Sequence, residues 1–158
     1  MKEQELCELI DTFQTREDDV FLCTYPKSGT TWMQKVLHGV RREDGGETGS
    51  ETATMLDTED HFFDAIPWPE GTCTSKHKFD VAGGMSREDV DNMEDQRFFK
   101  THASVDTFPG GYPTKAKVIY MYRNPKDVAV SLFHHMSETK TFDEKEGFSA
   151  FFDRFISG

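Results

Sequence analysis

Residues 20–32 read Val20-Phe21-Leu22-Cys23-Thr24-Tyr25-Pro26-Lys27-Ser28-Gly29-Thr30-Thr31-Trp32, and the fold class follows from how they are parsed. Val20 to Tyr25 is a nearly continuous apolar run, the pattern of a short strand buried on both faces. Pro26 stops it. From Thr30 to Val40 the sequence places Trp32, Met33, Val36, Leu37 and Val40 on one helical face. The stretch is therefore strand, tight loop, helix. Free backbone N–H groups at the positive end of such a helix make a ready anion site, and Lys27 adds a full charge within the loop. The pattern is not a Walker A motif, which places its lysine after the second glycine; here Lys27 precedes the loop's only glycine.

The neighbouring segments extend this unit. Upstream, Leu6, Leu9, Ile10 and Phe13 sit at helical spacing over 4–14, closed by the polar run Thr15 to Asp19. Downstream, 41–60 holds two Arg, three Gly and many acids, and predicts a mobile acidic surface loop. Residues 61–72 mix aromatics with Pro67 and Pro69 and predict irregular packed structure. Ser86 to Asp95 predicts a short acidic helix, with Ser86 as N-cap and Asp89 in its first turn.

Arg97 to Thr101 is a second strand, and Lys117 to Tyr122 a third, after the turn at Pro109-Gly110-Gly111. Asn124-Pro125 opens a helix from about Lys126 to Ser137, Asn as N-cap and Pro at the first helical position. Val128, Leu132 and His135/Met136 form its stripe. Phe148 to Ile156 begins another helix, and its Phe148, Phe151, Phe152, Phe155 and Ile156 are expected to lie exposed. Strands alternating with helices argue an α/β fold with a parallel sheet.

Composition bounds the function. The 158 residues fit one domain and can bury a sizeable core. Hydrophobic residues at 35% and fourteen Phe are too much apolar material for a disordered chain. Eighteen Lys plus Arg against 29 Asp plus Glu leave a net charge of −11, which repels nucleic acid and anionic membranes. No apolar run approaches the roughly 20 residues that span a bilayer, and the charged N-terminus lacks a signal-peptide core. Cys7, Cys23 and Cys73 form no CxxC pair and read as reduced thiols of a cytoplasmic protein. No spacing of His, Cys, Asp and Glu suggests a metal site.

The nine residues Thr24 to Trp32 are similar to the 5′-phosphosulfate-binding loop of the cytosolic sulfotransferases, whose leading signature is YPKSGTTW. Phe99-Lys100-Thr101-His102 resembles the strand end that carries that family's catalytic histidine. Tyr122-Arg123-Asn124-Pro125-Lys126-Asp127 through Ser131 resembles its 3′-phosphate-binding segment. The likeness runs from about residue 17 to the end and is weakest across 41–96. It implies one sulfotransferase domain over 1–158: a three-layer parallel sheet with flanking helices, P-loop-NTPase-like, and incomplete at the C-terminus.

Each segment also has a reading of its own. Arg123 precedes the capped helix and Ser131 lies about two turns in, roughly 9 Å along the axis at 1.5 Å per residue; a guanidinium can fold over that distance, so both can grip one phosphate. His102 ends a strand on the same sheet edge as Lys27, where open α/β sheets bind ligands. An imidazole there can take a proton from an acceptor hydroxyl. Alone, Arg123 reads equally as a surface ion pair, Ser131 as helix packing and His102 as a partly buried histidine bonded to backbone. His38, His61, His77, His134 and His135 keep that plainer reading.

The resemblance implies sulfuryl transfer from 3′-phosphoadenosine 5′-phosphosulfate to a hydroxyl or amine of a small acceptor (phenol, alcohol, steroid or amine), without a metal. His102 acts as base, and Lys27 and Lys100 stabilise charge on the leaving phosphate. Backbone N–H groups of Ser28, Gly29, Thr30, Thr31 and Trp32 cradle the 5′-phosphate with Lys27, and Arg123 and Ser131 hold the 3′-phosphate. It implies no nucleic-acid or membrane partner, and a possible homodimer for the full-length protein. Two departures stand out: Ala103-Ser104 replaces the family's Leu-Pro beside the acceptor pocket, and the later RKG-type loop is absent. An inactive nucleotide-binding or partner-binding fragment shares every one of these motifs. A small-molecule kinase shares only the phosphate cradle.

Overall fold

The computed structural model describes residues 11–43, 66–72, 87–93, 96–139 and 147–157. The expected helix over 4–14 lies outside them except for its end, where Asp11 and Thr12 are helical. Most of the acidic loop over 41–60, together with Cys7, Cys73, His61, His77, Ser86 and Asp95, also lies outside.

Three strands form one parallel sheet. β1 (Val20–Thr24) lies between β2 (Phe98–Thr101) and β3 (Lys117–Met121). Phe21 pairs with Phe99 on one side and Val118 on the other; Cys23 pairs with Thr101 and Tyr120. Every residue of β1 is buried, as an apolar run with a strand on each side requires.

The helices are α1 (Thr30–Glu43), α2 (Pro69–Thr72), α3 (Arg87–Asp91), α4 (Pro125–Glu138) and α5 (Gly147–Ser157), with a 3₁₀ turn at Val105–Thr107. α1 runs past Val40 into the segment expected to be loop. Within 61–72, the last four residues form α2 rather than irregular chain.

While Val118 and Tyr120 of β3 stay exposed, β1 and β2 are covered on both faces. On one, Val20, Leu22 and Phe98 pack against Leu37 and Met33 of α1 and against Ile66. On the other, Phe21, Cys23 and Phe99 meet Phe13, Val90, Phe108 and Ala116. Four rings interlock there, with centroids 5.4 Å apart for Phe13–Phe99 and 4.8 Å for Phe21–Phe108. Such pairs contribute about 0.5–1.5 kcal/mol beyond their burial.

The start of the sheet is closed by a buried ion pair. Arg97 donates from Nε to Asp19 Oδ1 at 2.8 Å and from Nη2 to Asp19 Oδ2 at 2.7 Å. Arg97 Nη2 also reaches Gln14 O, and Arg16 donates to Met93 O and Asp91 O. The main chain continues the tie: Val20 N donates to Arg97 O, and Lys117 N to Asp19 O.

Two packing expectations are corrected. Trp32 and Val40, expected on the core face of α1, are 63% and 49% exposed. Their place is taken by Gln34, which is fully buried and donates from Nε2 to Ile66 O. The apolar stripe of α5 is also not left bare. Phe151 is buried, with its ring 5.5 Å from Phe133 of α4, and Phe155 meets Tyr25 edge-on. Phe133 of α4 supplies the cover; only Phe148 and Ile156 of that stripe stay exposed.

Candidate functional site

The site is assembled where all three strands end. β1 stops at Thr24 and the chain turns through Tyr25 to Ser28, whose N–H donates to Tyr25 O at 3.2 Å. Lys27 sits at φ +68°, in the left-handed region that non-glycine residues seldom occupy. Gly29 sits at φ +99°, and a Cβ there would lie 2.7 Å from Met121 Cε. Only glycine enters that conformation without strain. α1 starts immediately afterwards, so its first amides have no intrahelical acceptor.

The side chain of Ser28 turns inward. It is 3% exposed and its Oγ has no hydrogen-bond partner among the described residues. A buried hydroxyl left unpaired is costly. An anion bound in the turn would give that hydroxyl an acceptor, so the residues present fit a phosphate group.

Arg123 lies just past β3, and its Nη1 donates to Lys27 O at 3.2 Å. The segment expected to grip the 3′-phosphate thus touches the loop expected to grip the 5′-phosphate. Asn124 caps α4 as the sequence indicates, accepting from Lys126 N at 3.0 Å. Ser131 is half-buried two turns along that helix.

His102 follows β2, and the pairing of Cys23 with Thr101 brings it beside Thr24. Its Nδ1 lies 2.7 Å from Thr24 O and 3.3 Å from Thr24 Oγ1. A carbonyl oxygen can only accept, so Nδ1 carries the proton, and Nε2 is the nitrogen left to hold a lone pair whenever the ring is neutral. Thr24 Oγ1 is also 2.6 Å from Thr30 Oγ1, at the start of α1. One threonine therefore ties the histidine to the phosphate loop.

A second wall of the site escaped the sequence reading. The segment Pro67-Trp68-Pro69-Glu70 runs alongside the end of β2, with Lys100 N donating to Pro67 O at 3.1 Å. Trp68 meets the His102 ring edge-on at 5.6 Å, and Lys100 Nζ lies 5.2 Å from the Trp68 ring centre. Glu70 Oε1 accepts from Thr101 Oγ1 and from His102 N. A lone acid in an apolar, proline-rich stretch was the available signal.

Burial pushes the Glu70 carboxyl above the usual carboxylate range, although the Thr101 hydroxyl, the Trp68 indole and the amides of Glu70 and His102 act the other way. The indole is near enough to help, yet neither Trp68 Nε1 nor Glu70 Oε2 closes a hydrogen bond. Burial lowers Lys100, and the Glu70 charge opposes that shift. The Cys23 thiol is pushed up to about 11 by burial and then by Glu70, so it is a poor nucleophile.

On the other side of His102 lies a cavity of about 630 Å³. Cys23, Tyr25, Phe108, Tyr112 and Tyr120 line it, and Ala103 and Ser104 form the wall next to the histidine. Among the described residues no group of His, Cys, Asp and Glu converges as metal ligands, and no helix is long and apolar enough to cross a membrane.

Comparison with known proteins bears on this arrangement. Residues 17–158 match the family described as Sulfotransferase domain. Amine sulfotransferase of Oryctolagus cuniculus is 31% identical over 157 residues, which are 99% of this chain and 46% of that protein. Sulfotransferase 1E1 of Mus musculus is 32% identical over 150 residues, 94% of this chain and 46% of the relative. Among solved structures, mouse sulfotransferase SULT7A1 complexed with PAP superposes with a TM-score of 0.68 at 29% identity, covering 100% of this chain and 48% of the other. A retinol dehydratase in a complex with retinol and PAP gives 0.65 at 25% identity, covering 99% of this chain and 51% of the other. The chain spans about half the length of the relatives it matches.

Proposed function

The chain belongs to the sulfotransferase domain family, and from that membership we propose that it binds 3′-phosphoadenosine 5′-phosphosulfate and serves sulfuryl transfer to a small acceptor. One observation carries the reading: His102 Nδ1 is bonded to the carbonyl of Thr24, the residue that opens the phosphate loop. The base and the anion cradle are thereby held on two adjacent strand ends.

In the proposed step His102 Nε2 takes the proton from an acceptor hydroxyl as its oxygen bonds to sulfur. The bond from sulfur to the 5′-phosphate breaks in line, and adenosine 3′,5′-bisphosphate leaves with the electron pair. Lys27 and Lys100 stabilise the charge on that leaving group, and the amides of Ser28 to Trp32 with Ser28 Oγ hold its 5′-phosphate. Arg123 and Ser131 hold the 3′-phosphate. Positioning and charge stabilisation supply most of the acceleration in transfers of this kind.

The cavity beside His102 is the proposed acceptor site. Among the described residues its lining carries aromatic rings and no carboxylate, which favours a neutral phenol, alcohol or steroid over an ammonium group. A cytoplasmic location and a homodimer of the full-length protein belong to the same proposal.

Affinity for nucleotides tests it. Adenosine 3′,5′-bisphosphate should bind roughly ten- to a hundred-fold more tightly than adenosine 5′-monophosphate, since a charge-assisted contact contributes about 1.5–3 kcal/mol. Equal affinity by calorimetry would remove the role given to Arg123 and Ser131.

A second reading is a donor-binding fragment without turnover. The exposure of Val118 and Tyr120 on β3 favours it. Donor binding without transfer would identify it.

A further inference from the structure

The transfer step above makes no use of Glu70, yet this carboxyl is buried at the one place where the main chain carrying His102 leaves the sheet. We propose that Glu70 is a positioning residue that fixes the direction of His102 Nε2, acting through residues 101–103. The proposal rests on the reading of His102 as the base.

β2 ends at Thr101, so the next amide has no ladder partner. Glu70 Oε1 supplies one, accepting His102 N at 3.2 Å, and the same oxygen accepts the Thr101 hydroxyl. Thr101 Oγ1 in turn accepts Ala103 N at 3.0 Å. Three successive residues around the histidine therefore hang on one carboxyl group. The ring is held separately, by Thr24 O at Nδ1 and by the edge-on contact with Trp68.

Main chain and ring must both be fixed for Nε2 to have a defined direction, because rotation at either would swing it. The 66–70 segment is itself anchored from two sides. Gln34 of α1 donates to Ile66 O, and Lys100 of β2 donates to Pro67 O. With Pro67 and Pro69 flanking Trp68, few backbone freedoms remain there. Glu70 is thus a rigid post rather than a flexible surface acid. Its elevated protonation range is consistent with a carboxyl placed for its geometry in a dry site.

A simple strand-end cap would stabilise the chain without governing the ring, and the histidine tautomer separates the two. In two-bond ¹H–¹⁵N spectra of the 158-residue chain, with His102→Gln used for assignment, wild type should show the Nδ1-protonated form. Glu70→Ala should shift His102 towards the mixture of free imidazole. In kinetics it should lower kcat by about 10²-fold, the usual cost of misplacing a catalytic group by an ångström, with KM for the donor little changed. Glu70→Gln keeps the shape and the accepting oxygen, and should restore the tautomer. Thr101→Val removes the hydroxyl's links to Glu70 and to Ala103 N but leaves that from His102 N to Glu70, and should give a partial shift; it decides the matter if Glu70→Ala does not fold.

A wild-type tautomer in folded Glu70→Ala, or in Thr101→Val in its place, overturns the proposal. If wild type transfers sulfuryl groups and Glu70→Ala does so equally well, the positioning role fails and the assigned function stands. If wild type shows no transfer but the tautomer still depends on Glu70, the positioning role stands and the assigned function fails.

Discussion

Asp19→Ala is expected to destabilise the domain by about 3–5 kcal/mol, the cost of breaking a buried pair by removing one member. The magnitude can be built from the contacts. Asp19 and Arg97 are 0% and 1% exposed. The substitution deletes two charge-assisted bonds from Arg97, at 2.8 and 2.7 Å, and a third from Arg16 N at 2.7 Å. Charged hydrogen bonds contribute about 1.5–3 kcal/mol each, so the two from Arg97 alone give roughly 3–6. Gln14 O and Val90 O remain as acceptors for the guanidinium, and the half-exposed Asp91 carboxylate stays 4.0 Å from its Nη1, which places the expected loss in the lower part of that range. Such a loss is a large share of the 5–15 kcal/mol by which domains are stable. Urea unfolding of wild type, Asp19→Ala, Arg97→Met and the double variant forms the cycle. The double variant should recover most of the loss, because no uncompensated charge is left. The tie lies at the start of the strands, away from the phosphate loop, so intrinsic donor affinity at saturating folding conditions should not change. A single-variant loss below about 1 kcal/mol would mean that water solvates Arg97 in place, and the argument from burial would fail.

Four further outcomes follow from the site. Gly29→Ala should weaken binding of adenosine 3′,5′-bisphosphate in calorimetry. Its φ of +99° strains any side chain by roughly 1–2 kcal/mol, and Met121 Cε, although flexible, must also move. In the complete enzyme, His102→Ala should lower turnover by about 10²–10⁴-fold with donor affinity near wild type. Lys27→Ala should damage both, since in the proposed step its charge meets the donor as well as the transition state. Glu70 is raised above its ordinary 4.5 in the folded state. Folding therefore takes up protons between that value and the folded one, and Glu70's contribution is fully present below 4.5 and lost as pH rises through the folded value. Glu70→Gln should flatten that fall in denaturation midpoints recorded across the acid range; an unchanged slope would mean that the carboxyl is not desolvated.

How much of this was legible from residues alone depends on what encodes each part. Local signals sufficed for the three strands and for α1 and α4, because an apolar run, a Gly turn and an Asn-Pro cap act within a few residues. The parallel register then brought His102 beside Thr24, as a common sheet edge implies. Features set by distant contacts were not legible. Gln34 is polar and buried only because Ile66 O lies across from it. Trp32 is apolar and exposed because Met33 and Leu37 already cover that face of the sheet. Phe151 is covered by Phe133, a residue of another helix whose orientation no local pattern states. Glu70 is the clearest case: its partners Thr101 and His102 lie more than thirty residues away, and nothing in Pro67-Trp68-Pro69-Glu70 names them.

Thr24 shows why the two halves of the proposed chemistry are hard to separate in this fold. Its carbonyl sets the His102 tautomer, while its hydroxyl reaches Thr30 at the mouth of the phosphate cradle. Strand β1 is central, so Thr24 has β2 on one side and β3, leading to Arg123, on the other. Arg123 closes the circuit by bonding Lys27 O across the loop. Movement of the loop on donor binding would thus be felt at His102 through a single backbone carbonyl, without any hinge between domains. In the proposed chemistry, the residue that orients the base is thus the same one that opens the loop given to the 5′-phosphate. This coupling needs nothing more than three parallel strands ending at one level.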